Sequence, residues 1–139
     1  MREVKQCILM RSDLNMRKGK MVAQGSHASL GVVLNRMTLK DKFITRSPDS
    51  QITKSLSYFK DDPFDLWING PFTKICLKVS SEDELETLYK MAVEANIPSC
   101  LITDSGKTEF NGVPTKTCCA IGPHWSDEID KITGHLSLL

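Results

Sequence analysis

No stretch of this chain approaches the ~20 consecutive apolar residues that a membrane-spanning helix needs. The N-terminal run Cys7-Ile-Leu-Met10 is far shorter. It is also too brief for the apolar core of a secretory leader, so the sequence points to a reducing, cytoplasmic location and to no membrane partner. The five cysteines are an odd number, and no Cys-x-x-Cys pair occurs. With only three histidines beside them, metal-ligand spacing is missing, and neither a metal nor a cofactor is expected. Buried free thiols are the better reading of most cysteines. Internal repeats and low-complexity segments are lacking too.

What is present is ordinary in amount and uneven in placement. Hydrophobic residues make up 40% and charged residues 25%, as in a globular domain with its own core. The net charge of +1 hides a split. Residues 1–60 hold 12 Lys/Arg against 4 Asp/Glu, and residues 61–139 hold 6 against 13. Such a split predicts a basic face and an acidic face, unless the two halves interleave in space. A basic face is the electrostatic footprint of a nucleic-acid binder.

The stretch from Asp13 to Gly31 reads as a turn feeding a helix over residues 18–37. Lys20, Gln24, His27 and Gly31 are spaced to line one face of it. Ala23, Leu30, Leu34 and Met37 form an apolar stripe expected to anchor it on the core. Arg17, Lys18 and Lys20 crowd its N-terminal end. Cations there oppose the helix dipole, but they suit an anion such as phosphate. The bland alternative is a solvated turn and a structural histidine.

Lys5 to Arg11 fits a buried first strand. Residues 38–71 are less regular. Asp49 is expected to cap a short helix reaching about Phe59, stopped by Asp61-Asp62-Pro63, with Trp67-Ile68 anchoring an exposed connection. Phe72 to Val79 is a second strand. Ser81 and Glu84 form a capping box for a helix that buries Leu85, Leu88, Tyr89 and Ala92. Ile97 to Thr103 is a third strand, for which the strand–helix–strand unit predicts parallel pairing with the second. Thr115 to Ile121 is a fourth, antiparallel to the third and closed by Gly122-Pro123. Adjacent Cys118 and Cys119 point to opposite faces of it. Ser126 caps a last helix ended by Gly134. The expectation is an α/β fold, a single-domain three-layer sandwich over residues 1–139. Its mixed sheet has about four strands, and the connection at 38–71 is long. Two polar clusters, Asp13 to Lys20 and Asp104 to Thr108, leave strand ends where ligands usually lie, so they are expected to share a cleft.

Four ordered motifs carry a resemblance. Lys18-Gly-Lys-Met-Val-Ala-Gln-Gly-Ser-His-Ala28 resembles the Lys-Gly-Lys-x-x-Ala-Gln-x-x-His-Ala signature of the archaeal and eukaryotic-type peptidyl-tRNA hydrolases. Asp104-Ser-Gly-Lys-Thr108 is similar to that family's Asp-Ala-Gly-Arg-Thr loop. Ala120-Ile-Gly-Pro123 and the run from Ile129 to Leu139 look like its closing segments. The likeness covers residues 4–37 and 72–139. Ser105 stands where the family has Ala, Lys107 where it usually has Arg, and Thr103 where it often has Arg. Lys107 keeps the cation but not the bidentate guanidinium fork.

The resemblance implies hydrolysis of the ester joining a peptide to the 3′ end of tRNA, without a metal, by a cytoplasmic enzyme that forms a homodimer. Such chemistry needs an activated water, a stabilised oxyanion and a grip on tRNA phosphate. The implied roles are as follows. Lys20 is the electrostatic partner of the oxyanion or leaving group. Asp104 orients Lys20 or positions the water. Thr108 and Gln24 hydrogen-bond the ester or the water. His27 is either the base or a structural residue. Arg17, Lys18 and Lys107 hold tRNA. The competing reading is a non-catalytic tRNA- or ribosome-binding module of the same fold.

Overall fold

The computed structural model describes residues 2–40 and 50–139. Its framework is a four-stranded sheet in the order β4-β1-β6-β5. The strands are β1 (Val4–Arg11), β4 (Lys74–Val79), β5 (Ser99–Asp104) and β6 (Thr115–Trp125). β1 and β6 take the centre because they carry the longest buried runs, Gln6 to Arg11 and Thr117 to Pro123. β4 alternates exposed and buried residues toward its end, as suits an edge. β1 pairs parallel with β4, Ile8 opposite Cys76, and antiparallel with β6, Ile8 opposite Ala120. β5 pairs antiparallel with β6, as the sequence indicates.

The second and third predicted strands, β4 and β5, therefore run in the same direction but sit at opposite edges. The crossover through α3 (Glu82–Glu94) spans two strands instead of joining neighbours. The physical reason is that β1 and β6 are apolar on both faces and displace the less apolar strands to the rims.

Helices cover both faces, giving the predicted three layers. On one face α3 and α4 (Ser126–Thr133) bury Leu85, Leu88, Ile129 and Ile132 against Cys7, Leu9 and Cys119. On the other, α1 (Lys18–Arg36) and α2 (Pro63–Ile68) bury Ala28, Val32, Phe64 and Trp67 against Ile8, Met10 and Cys118. Cys118 and Cys119 thus face opposite layers, and all five cysteines are free thiols. Burial pushes the Cys118 thiol up to about 12.

Several expectations are corrected. In α1 the residues that face the core are Gln24, Gly25, Ala28, Ser29, Val32 and Val33, while Ala23, Leu30 and Leu34 are exposed. Small residues win that face because they let the helix approach the sheet. Gly25 places the position of a side-chain carbon 3.6 Å from Met10 Cε. The buried polar groups on it are paired, Ser29 Oγ donating to Gln6 Oε1 at 2.5 Å. Over residues 50–59 no helix forms, and Asp49 lies outside the described residues. Instead β2 (Thr38–Leu39) pairs with β3 (Lys54–Ser55), and α2 follows, with the Asp62 carboxylate accepting from Asp65 N–H at 2.8 Å. Trp67 anchors the connection, as the sequence indicates. It is fully buried, and its indole N–H donates to the Thr73 carbonyl at 2.8 Å.

β6 does not stop at Gly122-Pro123. It continues to Trp125, because a register shift against β1 between Lys5 and Cys7 accommodates the proline that cannot donate to the ladder. α4 begins at Ser126 itself, without a side-chain cap. The capping of α3 holds, Ser81 Oγ accepting from Glu84 N–H at 3.0 Å, but the Glu84 carboxylate takes the Ser80 hydroxyl. The C-terminal tail lies along the outer edge of β4, with Lys78 N–H donating to the Ser137 carbonyl and Leu139 N–H to the Cys76 carbonyl. Among the described residues no helix is long and apolar enough to cross a membrane.

Candidate active site

Because β1 and β5 run parallel, their C-terminal ends share one rim of the sheet, and the loops leaving them meet there. Arg11, at the end of β1, stiffens the first loop. Its guanidinium forks onto Asp13, Nε to Oδ1 at 3.0 Å and Nη2 to Oδ2 at 2.7 Å. Its Nη1 donates to the Lys116 carbonyl at 3.0 Å, tying the loop to the start of β6. The Arg11 fork holds the Asp13 carboxyl below the usual carboxylate range. The chain then enters α1 with no acidic residue in the first turn and no side-chain cap.

In the first turn of α1, Lys20 meets the second loop. Lys20 Nζ donates to Asp104 Oδ1 at 2.9 Å and to Thr108 Oγ1 at 2.8 Å. Gln24, on the next turn, donates from Nε2 to the same Oδ1 at 3.2 Å. Gly106 N–H donates to Asp104 Oδ2 at 2.8 Å. The tight turn that aims this amide needs glycine: φ is +83°, and a side-chain carbon there would stand 2.2 Å from the Val113 carbonyl oxygen. Below the pair, the buried Thr117 hydroxyl donates to Gln24 Oε1 at 2.6 Å. The Phe110 ring lies under Lys20 Nζ, 5.6 Å from its centroid, which favours the cation.

The electrostatics follow from these contacts. The hydrogen bond from Lys20 holds the Asp104 carboxyl below its ordinary value; burial opposes this, and the Gly106 amide and Gln24 side chain add to it. Both Asp104 oxygens are occupied, so this carboxylate is built to hold its neighbours. An ammonium has three donors. Two of those on Lys20 are spent on Asp104 and Thr108, leaving one among the described residues. The Thr108 hydroxyl accepts from Lys20 and keeps its own hydrogen, and the residue is exposed. Gln24 is engaged at both ends and is buried, so it supports the cluster and does not reach out of it.

The structure thus brings together Lys20, Gln24, Asp104 and Thr108, and joins the two polar clusters in one cleft. His27 lies further along α1, exposed and with no side-chain hydrogen bond among the described residues. Arg17 is 91% exposed at its side chain, 3.9 Å from Glu109. Lys18 and Lys107 are exposed and form no ion pair among the described residues. Sequence reading missed Thr117 and Arg11. A threonine inside an apolar strand carries no signal of its own. Arg11 looked like a flanking charge, although its fork to Asp13 two residues on was there to be read. Among the described residues no group of three or more His, Cys, Asp or Glu is gathered as metal ligands.

Comparison with known proteins bears on this arrangement. Residues 4–139 match the family model described as peptidyl-tRNA hydrolase PTH2, and the match runs through residues 38–71. The chain is similar to a peptidyl-tRNA hydrolase of Sulfolobus acidocaldarius, 36% identical over 98% of this chain and 100% of the relative. A peptidyl-tRNA hydrolase of Sulfurisphaera tokodaii is 39% identical over 97% of this chain and 98% of its own length. A Drosophila melanogaster protein named probable peptidyl-tRNA hydrolase 2 is 33% identical over 97% of this chain and 61% of its own.

Proposed function

The chain belongs to the peptidyl-tRNA hydrolase PTH2 family, and from that membership we propose how its side chains cleave the ester between peptide and tRNA. Peptidyl-tRNA hydrolysis is its activity. The observation that supports this assignment of roles is the Lys20 ammonium held between Asp104 and Thr108 with one N–H unspent.

In the proposed reaction water adds to the ester carbonyl and an oxyanion forms. The carbon–oxygen bond to the ribose then breaks, giving a peptide carboxylate and a free tRNA hydroxyl. One proton of the water ends on the ribose oxygen, and the other passes to solvent. Lys20 directs its remaining N–H at the oxyanion. Thr108 donates its hydroxyl to the same oxygen or to the attacking water. A positioned donor of this kind is worth about 100- to 1,000-fold in rate. Asp104 keeps Lys20 aimed, and Gln24 and Thr117 keep Asp104 in place. His27, exposed further along α1, is left to meet substrate. Arg17, Lys18 and Lys107 take tRNA phosphate.

We propose that no metal takes part, because Lys20 already supplies positive charge where a Lewis acid would act. We place the enzyme in the cytoplasm, where five free thiols persist, and as a homodimer, the state that the resemblance implies. The test is release of tRNA from N-acetyl-aminoacyl-tRNA by the purified protein, with sedimentation run alongside. Turnover that survives EDTA supports the scheme. Turnover abolished by EDTA and restored by one divalent ion contradicts it, and tight tRNA binding with no turnover favours the binding-module reading.

A further inference from the structure

At the catalytic rim β6 is bulged against β5. Ile102 faces Cys118 and Thr103 faces Lys116, so Thr117 between them has no partner in β5. Successive residues of a regular strand point to opposite faces of a sheet. A bulge breaks that alternation and re-aims a side chain. Here Thr117 and Cys118 both reach Gln24 of α1. The hydroxyl donates to Oε1 at 2.6 Å and the thiol to the main-chain carbonyl at 3.3 Å. The bulge is therefore what puts a buried donor beneath the Gln24 side chain that holds Asp104.

Arg11 grips this point from β1. Its side chain is 10% exposed. Nη1 donates at 3.0 Å to the Lys116 carbonyl, the peptide group that leads into Thr117. Nε and Nη2 take the carboxylate of Asp13, in the loop that leads to Lys20. Ser12, between Arg11 and Asp13, donates to the Val79 carbonyl from its N–H at 2.8 Å and from its hydroxyl at 3.1 Å. One planar cation thus stands where β1, β4 and β6 reach the rim, with both routes to the Lys20–Asp104 pair attached to it.

We propose that Arg11 is a positioning residue for the hydrolysis, a clamp that fixes the bulge at Thr117 and the loop entering α1 at a set separation. The inference rests on the hydrolase reading above and deepens it. Arg11 touches neither Lys20 nor Asp104. It acts on Asp104 through Thr117 and Gln24, and on Lys20 through Asp13 and the loop. The guanidinium is the group that suits this task, because its fixed fork holds a carboxylate bidentately and still has a donor for a carbonyl on the other side. A lysine ammonium is a single point charge and holds no such plane.

The experiment measures single-turnover hydrolysis of N-acetyl-aminoacyl-tRNA, together with tRNA affinity, for Arg11→Lys and Asp13→Asn, each alone and combined with Lys20→Ala. Each substitution alone is expected to slow hydrolysis about tenfold or more, since a misplacement of about 1 Å costs up to about 100-fold. Affinity for tRNA stays unchanged, because neither residue takes phosphate. In the Lys20→Ala background the same substitutions leave the residual rate unchanged, because the group they position is gone. Wild-type rates in both single variants overturn the proposal. So does an equal loss with and without Lys20, which is what a purely structural role gives. Should Arg11→Lys fail to fold, Asp13→Asn, at a side chain 35% exposed, carries the test. If the wild type cleaves nothing, the hydrolase reading fails by itself. The clamp is then judged by the titration of the Asp104 carboxyl carbon resonance. A midpoint that rises toward the ordinary value in Asp13→Asn supports it, because Lys20 then holds the carboxylate less well, and an unmoved midpoint overturns it.

Discussion

The Thr117 hydroxyl donates to Gln24 Oε1 at 2.6 Å from a fully buried side chain, three hydrogen bonds removed from the Lys20 ammonium. Through Gln24 it sets the position of Asp104, and through Asp104 that of Lys20. Thr117→Val keeps the shape and removes the donor, leaving Gln24 Oε1 buried without a partner. That costs about 1–3 kcal/mol of stability. Single-turnover hydrolysis is expected to fall about tenfold in Thr117→Val and to stay near wild type in Thr117→Ser. Equal rates in both variants would deny that the hydroxyl matters.

The Asp104 carboxyl is held below its ordinary value of 3.8, chiefly by the Lys20 hydrogen bond. The unfolded chain therefore binds this proton more readily than the folded one. Its contribution to stability is complete above the ordinary value and is lost as pH falls through the lower folded value. The stability difference between wild type and Asp104→Asn should be level from about pH 8 to pH 5 and should shrink below about pH 4. Urea unfolding across that range measures it. A difference that changes between pH 5 and 8 would show that another group controls the pair.

His27 is exposed and unheld by hydrogen bonds among the described residues. A general base worth about 100- to 10,000-fold must be positioned for the proton it takes. His27→Ala is expected to lower the single-turnover rate less than about tenfold, with no change in the shape of its pH dependence. A larger loss, with disappearance of an acid limb, would make His27 the base.

Arg17 and Lys107 extend from the two loops of the cleft with little to neutralise them. If each meets a phosphate, Arg17→Ala and Lys107→Ala should each reduce the slope of log K against log salt by about one unit for tRNA binding. Titrations at several salt concentrations give the slope directly. An unchanged slope removes that residue from the tRNA footprint.

The cluster was readable from the sequence because its members sit in motifs at strand ends, where parallel strands deliver their loops to a common rim. Strand ends alone suggest that the two loops share a cleft, and the pairing of Lys20 with Asp104 is what the family resemblance implies. The phase of α1 was not readable. Gln24 and Ser29 look like solvent residues until their buried partners, Thr117 and Gln6, are known. Leu30 and Leu34 look like core residues, yet the close approach allowed by Gly25 and Ala28 turns them outward. The extension of β6 past Gly122-Pro123 depends on a register shift in its partner, and a local reading of Gly-Pro as a stop has no access to that. Trp67 is legible as the anchor of its connection, and the structure buries it fully against the sheet.

Lys20 and Asp104 lie 2.9 Å apart and nearly buried, with side chains 13% and 11% exposed, and we propose that they act as one device. A plain surface ion pair would be worth only about 0–1 kcal/mol and nothing to the rate. The deciding measurement is single-turnover hydrolysis of N-acetyl-aminoacyl-tRNA by the wild type, Lys20→Ala, Asp104→Ala and the double variant. Each single variant should lose about 100-fold or more. The double variant should be barely slower than either, because groups that act as a unit lose their effect together. Near-wild-type rates in both single variants, or losses that multiply fully in the double variant, would contradict the account.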